Sequence, residues 1–482
     1  MVHEQFQDLL DRLVKDSGVG QEVLGEVLAR TSLRAPAETS RVEISAGNPA
    51  ARRPVDQRAI PQGTVSKAVK ALLEEELLED GEKLLRNHDG RTLSPLRLGR
   101  RFAIAGVNVQ TSAGQPRQVT TALLGLDTSR ELGTAHDPAD TWNQVAVLVH
   151  RHVASLKSRC DRDRARRGLK PLRMFGVGVA VAAPAYDGEV MPPSGDASGP
   201  PVELAAMLRR LFDADPSLDQ SVPVVVENDA NALAVLASHQ VRYAVPDLVV
   251  VGVFDEGTGG GLVMDGQLRR GGNRRAMEIG HLAVGFPPGQ QQEPQNPDES
   301  KAEIARPPTA NAGFNARCSC GHFGHVDTLA TPSRIRGELG DGTLDQIGAI
   351  GIADPGFNRA CHVFARSGSA LGRALAHVSN TVNPTKMIVY LPAALAEPEP
   401  GTAAASYLTA VRWEAANAFA ASDQPDYLTI RALPAETQKT ALLGAKAAAV
   451  CVLESFIEHA LRLDSCKSGL RRHSTGSHTP AA

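Results

Sequence analysis

From Arg101 onward the chain alternates short β-branched runs with helical stretches, and few architectures satisfy that order. The runs are RFAIAGVNV (101–109), VTTALLGLD (119–127), MFGVGVAVAAP (174–184), VPVVVEND (222–229), DLVVVGVF (247–254) and KMIVYLP (386–392). Helical stretches such as TWNQVAVLVHRHVASLKSR (141–159) and PVELAAMLRRLFDA (201–214) lie between them. The alternation predicts an α/β region with central sheets. A chain of 482 residues exceeds one ordinary core, so two to four units are expected.

The chemistry concentrates between Glu278 and Asp327. An EIGH segment (278–281) is followed, after a long insert, by CSCGHFGHVD (318–327). Two thiolates two residues apart, with imidazoles beside them, form a donor set that suits tetrahedral Zn2+ over calcium or magnesium. Gly321 and Gly324 let the backbone turn tightly around an ion. Such an ion would also fix two carboxylates, Glu278 and Asp327. The competing reading is ordinary buried thiols and loop histidines.

VPVVVENDANALA is an apolar strand that ends in Glu227-Asn228-Asp229 and runs into a helix. Polar groups at the carboxyl end of such a strand sit where α/β proteins bind ligands. Asp229 there is either a general base, with Asn228 fixing a hydroxyl, or a cap of the helix. Gly257, Thr258, Gly259, Gly260 and Gly261 follow another strand. They either present N–H groups to a phosphate or form a glycine-rich hairpin turn.

Ahead of this region, residues 1–33 have helical apolar spacing, and the Pro-, Gly- and Ser-rich stretch after them reads as loop. TVSKAVKALLEEELLED (64–80) predicts a helix with Thr64 as N-cap. Its apolar stripe is Val65, Val69, Leu72, Leu73 and Leu77. GEKLLRNHDGRTLSPLRLG (81–99) reads as a hairpin turning at His88-Asp89-Gly90. A helix followed by a basic hairpin has the form of a winged helix-turn-helix. The alternative is a helix and hairpin that only pack on the rest.

Composition limits the function. Net charge is −3, so any nucleic-acid surface must be local. Aromatic residues make up 4%, which argues against a stacking platform for single strands. Six cysteines in so long a chain are no disulfide framework. With a charged N-terminus and no run expected to span a membrane, a cytoplasmic protein is expected, without membrane partners. Residues 286–312 read as a mobile insert and 464–482 as a disordered tail.

In this order, ENDANALA (227–234), GTGGG (257–261), EIGH (278–281), CSCGHFGH (318–325) and GSALGRALAHVSNTVNP (368–384) resemble the ROK family of sugar kinases, open reading frames and sugar-responsive repressors. The resemblance spans about residues 60–455. It implies a two-lobed actin-like, hexokinase-like α/β domain (101–463) behind a winged helix-turn-helix region (1–100). It implies sugar contacts from Asn228, Asp229, Glu278, His281 and Asp327, with Asp229 as catalytic base in kinase members. It implies Zn2+ on His281, Cys318, Cys320 and His325. In the repressor branch it implies DNA contacts from Thr64, Ser66, Lys67, Lys70, Arg86, Arg91 and Arg97, with operator DNA and a sugar effector as partners of a homodimer or homotetramer.

The chain departs from the family pattern in specific places. His325 stands where the family usually has a third cysteine, and Asp327 where it has Glu. Asn108 stands near the acid that organises Mg2+ and phosphates in kinases. The glycine-rich element at 176–185 is altered to GVGVAVAAPA, and Leu391-Pro392 replace the glycines that face adenosine. ATP and Mg2+ are therefore not expected as cofactors. The expectation is a sugar-responsive transcriptional regulator, with an ATP-dependent sugar kinase as the alternative.

Overall fold

The computed structural model describes residues 4–9, 24, 62–81, 96–111, 115–191, 200–241, 245–284, 317–340, 342–416 and 426–472. The side chains of Gln62, Thr64 and 461–472 are not among the described groups. The expected insert at 286–312 and most of the expected helical region 1–33 lie outside the described residues; residues 4–9 and 24 are helical. The chain divides into two compact units: Met1–Met191, Pro201–Asn228 and Ala441–Ala482 in the first, Pro192–Pro200 and Asp229–Thr440 in the second.

In the first unit α1 (Gln62–Glu74) is followed by β1 (Leu78–Asp80) and β2 (Leu96–Leu98). Val65, Val69, Leu72 and Leu77 are fully buried, while Leu73 is partly exposed. The helix expected through Asp80 stops six residues earlier. The Glu76 amide bonds to Leu73 O at 3.0 Å and the Leu77 amide to Leu72 O at 2.9 Å. Glu76 takes φ +60. These bonds close a Schellman end and turn 78–80 into a strand in register with 96–98. Thr64 lies inside the first turn rather than at the cap. The expected hairpin turn lies outside the described residues.

Five strands then form a sheet in the order β5-β4-β3-β6-β9: β3 (Phe102–Gln110), β4 (Arg117–Gly125), β5 (Glu131–Ala139), β6 (Arg173–Val181) and β9 (Val224–Asn228). β3 pairs antiparallel with β4 and parallel with β6, and β6 pairs parallel with β9. A short pair, β7 (Ala185–Tyr186) and β8 (Glu189–Val190), follows β6. One sheet face, with Ala105, Val107, Val177 and Val179, packs on α2 (Trp142–Arg166) and α3 (Leu204–Asp213). Thr141 and Gln144 form a capping box that starts α2. Sequence reading missed β5. It is an edge strand that carries Pro138, and its outer positions are solvent-exposed, so it lacks the apolar run of a central strand.

The second unit is built on β10 (Leu248–Val253), β11 (Thr258–Met264), β12 (Gln267–Leu268), β13 (Lys386–Pro392) and β14 (Leu428–Leu433), in the order β12-β11-β10-β13-β14. α4 (Asp229–Val241) packs on β10 and β11. α5 (Pro332–Leu339), α6 (Leu344–Gly348), α7 (Phe357–Val382), α8 (Ala393–Ala396) and α9 (Ala403–Ala416) surround the core that contains Val249, Val251, Met387 and Val389. Asn383 ends α7 in the left-handed conformation, φ 50 and ψ 56.

The last helix, α10 (Thr437–Arg472), lies on the open face of the first sheet. A Cβ on Gly106 would stand 1.9 Å from Ala445 O, and one on Gly178 1.9 Å from Ala448 O. These strand glycines exist because a helix backbone lies directly against them. Two expectations change here. Thr437–Ala460 is long and apolar enough to cross a membrane, although no run was expected to be, and its apolarity goes into this packing. The helix also continues to Arg472, into the tail expected from 464; residues 473–482 lie outside the described residues.

Candidate functional site

His281 closes a 3-10 turn (Ile279–His281), and the cysteine loop follows from Arg317. The loop folds on itself through Cys318 N–H to His322 O (2.8 Å) and Gly321 N–H to Cys318 O (2.8 Å). Gly321 and Gly324 take φ of +90 and +73, as their expected role requires. Val284 N–H to Gly324 O (2.9 Å) and Val326 N–H to Leu282 O (3.1 Å) stitch the loop back beside His281.

This stitching brings the donor atoms of His281, Cys318, Cys320 and His325 within 4.8 Å of one another. Cys318 Sγ lies 3.4 Å from His281 Nδ1, and Cys320 Sγ lies 3.3 Å from His325 Nδ1. Sulfur and nitrogen on one tetrahedral Zn2+ are about 3.5 Å apart, from bond lengths of about 2.3 and about 2.05 Å. The four donors therefore fit a metal ion. Their protonation is uneven. Burial pushes the Cys318 thiol up. Burial also raises Cys320, but hydrogen bonds from the His322 amide and ring and from Cys318 outweigh it and hold Cys320 at about 7. Burial, then the charges of His281 and His322, lower His325 and favour the neutral ligand form. His322 was not assigned a role from sequence. Its Nδ1 lies 3.6 Å from Cys320 Sγ, and its position two residues after that cysteine was the available signal.

Two of the expected sugar contacts, Asp327 and Glu278, lie beside these donors. Asp327 sits in a 3-10 turn (Val326–Thr328), and its Oδ1 accepts the Thr258 amide at 2.7 Å. Burial raises the Asp327 carboxyl, and Glu278 adds to the rise; the Thr258 amide and His281 oppose it. Glu278, half-buried, precedes the 3-10 turn that ends in His281. Asp229 begins α4, and its Oδ1 accepts the Ala230 amide at 2.8 Å, a bond to the next residue. Asn228 closes β9 in the first unit, donating from Nδ2 to Ala183 O at 3.3 Å.

The glycine-rich stretch is a strand start rather than an open loop. Thr258, Gly259, Gly260 and Gly261 pair with Val253, Gly252, Val251 and Val250. A Cβ on Gly259 would lie 2.6 Å from Ala230 Cβ, one on Gly261 2.5 Å from Ala234 Cβ, and one on Gly260 2.8 Å from Met277 O. Packing of α4 and Met277 thus accounts for these three glycines. Asn108 is buried in β3, where a Cβ on Gly444 of α10 would meet its amide group at 2.6–2.9 Å. Leu391 is fully buried in β13, and Pro392 lies in register with Leu433.

In the expected winged helix-turn-helix region, Ser66, Lys67 and Lys70 are exposed along α1. Arg97 lies in β2 opposite Glu79. Arg86 and Arg91 lie outside the described residues, as does the side chain of Thr64.

A family model described as the ROK family matches residues 177–447. The DNA-binding transcriptional dual regulator NagC of Escherichia coli (strain K12) is 25% identical over 353 residues, covering 69% of this chain and 74% of that protein. A glucokinase of Halalkalibacterium halodurans is 25% identical over 189 residues, covering 36% of this chain and 49% of that protein. Among solved structures, a ROK family transcriptional regulator described as a homolog of the E. coli MLC protein superposes with a TM-score of 0.57. It is 17% identical and covers 92% of this chain and 99% of that one.

Proposed function

Because the chain belongs to the ROK family, we propose that it is a sugar-responsive transcriptional regulator that binds operator DNA through its N-terminal head. The observation that carries this reading is the helix α1, with Ser66, Lys67 and Lys70 exposed, followed at once by the β1–β2 pair and then by the family domain. Polar residues in the first turns of a recognition helix reach base edges, and arginines of a wing reach phosphates. The likeness to NagC, itself named a DNA-binding regulator, supports the same branch.

In this reading residues 1–100 form the head and 101–463 the effector domain of a homodimer or homotetramer. Asn228, Asp229, Glu278, His281 and Asp327 bind the sugar. Zn2+ on His281, Cys318, Cys320 and His325 supplies rigidity rather than chemistry, because four protein donors leave no open position. The ligand acts by binding one orientation of the head more tightly than another. Asn108, buried in β3, carries no negative charge to offset a bound cation, which favours the regulator over the kinase alternative.

Selection of bound fragments from sheared genomic DNA, at physiological salt, tests the reading. A recovered palindromic site that Lys67→Ala loses, with sugar binding retained, is the expected result. No enrichment would overturn it. The kinase alternative rests on Asp229, the first residue of α4 directly after β9, and on the glucokinase relative. ATP-coupled phosphorylation of sugars, abolished in Asp229→Ala, is the result that would establish it.

A further inference from the structure

The turn that ends α1 carries two acids, and both face a basic cluster on the first sheet. Arg173, the first residue of β6, pairs with Glu75 at 3.3 Å. Lys170 pairs with Glu76 at 2.5 Å, and Arg101 donates to Glu75 O at 3.4 Å. The cluster is held in place beforehand. Arg164 donates to Lys170 O at 2.6 Å and to Arg100 O at 2.9 Å, fixing the loop before β6 against the chain entering β3. Inside the head the same turn closes on the chain leaving β2: Gly99 N–H bonds to Leu77 O at 2.7 Å, and a Cβ on Gly99 would lie 2.0 Å from Glu76 O.

The partners are arranged so that this contact reaches further. β6 runs from Arg173 to Val181, a span of about 26 Å. At its far end Val181 stands in register with Asn228, an expected sugar contact. One paired strand therefore begins at the head and ends beside the proposed ligand position.

We propose that Arg101, Lys170 and Arg173 form a docking surface for the Glu75–Glu76 turn, and that this latch sets the orientation in which the head meets DNA. The proposal rests on the regulator reading for its DNA consequence. A single exposed pair such as Lys170–Glu76 contributes little by itself. The network shared by Arg101, Lys170 and Arg173 makes the junction a unit, and the Gly99 contact holds the turn in the shape it docks with. A head held in one orientation meets its site with less ordering left to do.

Charge reversal tests it on the full-length protein. Glu76→Lys places a third positive charge beside Lys170 and Arg101. It should reduce hydrogen-exchange protection of the amides at residues 65–80 and weaken binding to the selected operator by about tenfold, the scale of a small charge network. Lys170→Glu should do the same, and Glu76→Lys/Lys170→Glu should restore both readings. Gly99→Ala, which changes no charge, should also reduce protection. If the single reversals leave protection at the wild-type level, the latch is wrong whatever the protein does with DNA. If protection follows this pattern but operator affinity does not change, the turn is a structural clamp and the coupling is wrong. If the wild type selects no operator, the regulator reading falls and the exchange data still decide the docking.

Discussion

The Thr258 amide donates a hydrogen bond to Asp327 Oδ1 at 2.7 Å, so the segment carrying the metal donors also holds the first residue of β11. Gly280 is closed in between them: a Cβ there would stand 2.4 Å from Asp327 Oδ1 and 2.5 Å from Thr258 O. Gly280→Ala should therefore cost about 1–3 kcal/mol of stability by overpacking. The check is a lower denaturation midpoint at unchanged m-value. An unchanged midpoint would mean the junction yields freely.

The metal donors make a chemical prediction. Purified without added metal, the protein should carry one zinc per chain by elemental analysis. After chelation, iodoacetamide at about pH 7.5 should modify Cys320 before Cys318, because the thiolate is the nucleophile. Cys320 is held at about 7 and partly exposed, whereas Cys318 is buried with its thiol pushed up. Zinc should protect both, as read by mass spectrometry of the digested protein. Equal rates in the metal-free form would contradict the asymmetry.

His152 is buried in α2, with Nδ1 3.0 Å from Thr121 Oγ1 and Nε2 2.9 Å from Asp137 Oδ2. Burial holds its pKa below the ordinary 6.5, against the pull of Asp137. As pH falls through that ordinary value the unfolded chain takes up the proton first, so the folded state loses stability down to the lowered value. The paired Asp137, itself lowered, loses its contribution only at more acid pH, below its ordinary 3.8. Denaturation midpoints should fall between about pH 7.5 and about pH 5.5, and less steeply in His152→Gln. Identical slopes in both proteins would count against this account.

Gly259→Ala and Gly261→Ala should each destabilise the second unit by about 1–3 kcal/mol, since each new methyl meets a methyl of α4 inside van der Waals distance. A phosphate-binding role alone would leave thermal stability untouched. Thermal melting of the two variants separates these explanations.

Asn108→Asp should lower stability and confer no ATP-dependent sugar phosphorylation. Position 108 is buried against Gly444 of α10, where a carboxylate would lose hydration. A gain of phosphorylation would show that the site retains the other kinase elements.

Much of this molecule was legible along the chain. Each β-branched run quoted from Arg101 onward became a strand, because central strands buried on both faces need continuous apolar residues. Of the candidate metal donors, the close-set Cys318, Cys320 and His325 were legible from residue type and spacing, and His281 from the family resemblance. Other features depended on what lay across the fold. β5 has no apolar run because it is an edge. The α1 end at Glu74 is set by a Schellman turn docked on Arg173 and Lys170. Gly259 and Gly261 read as a phosphate loop or a turn until α4 supplied the methyls against them. Nothing along the chain told that the Asp327 carboxylate also accepts the Thr258 amide. The sequence by itself determined which groups were available and where apolar surface had to be buried. Only the tertiary structure decided which of those groups meet, because steric closeness and hydrogen bonding join residues whose separation along the chain carries no signal.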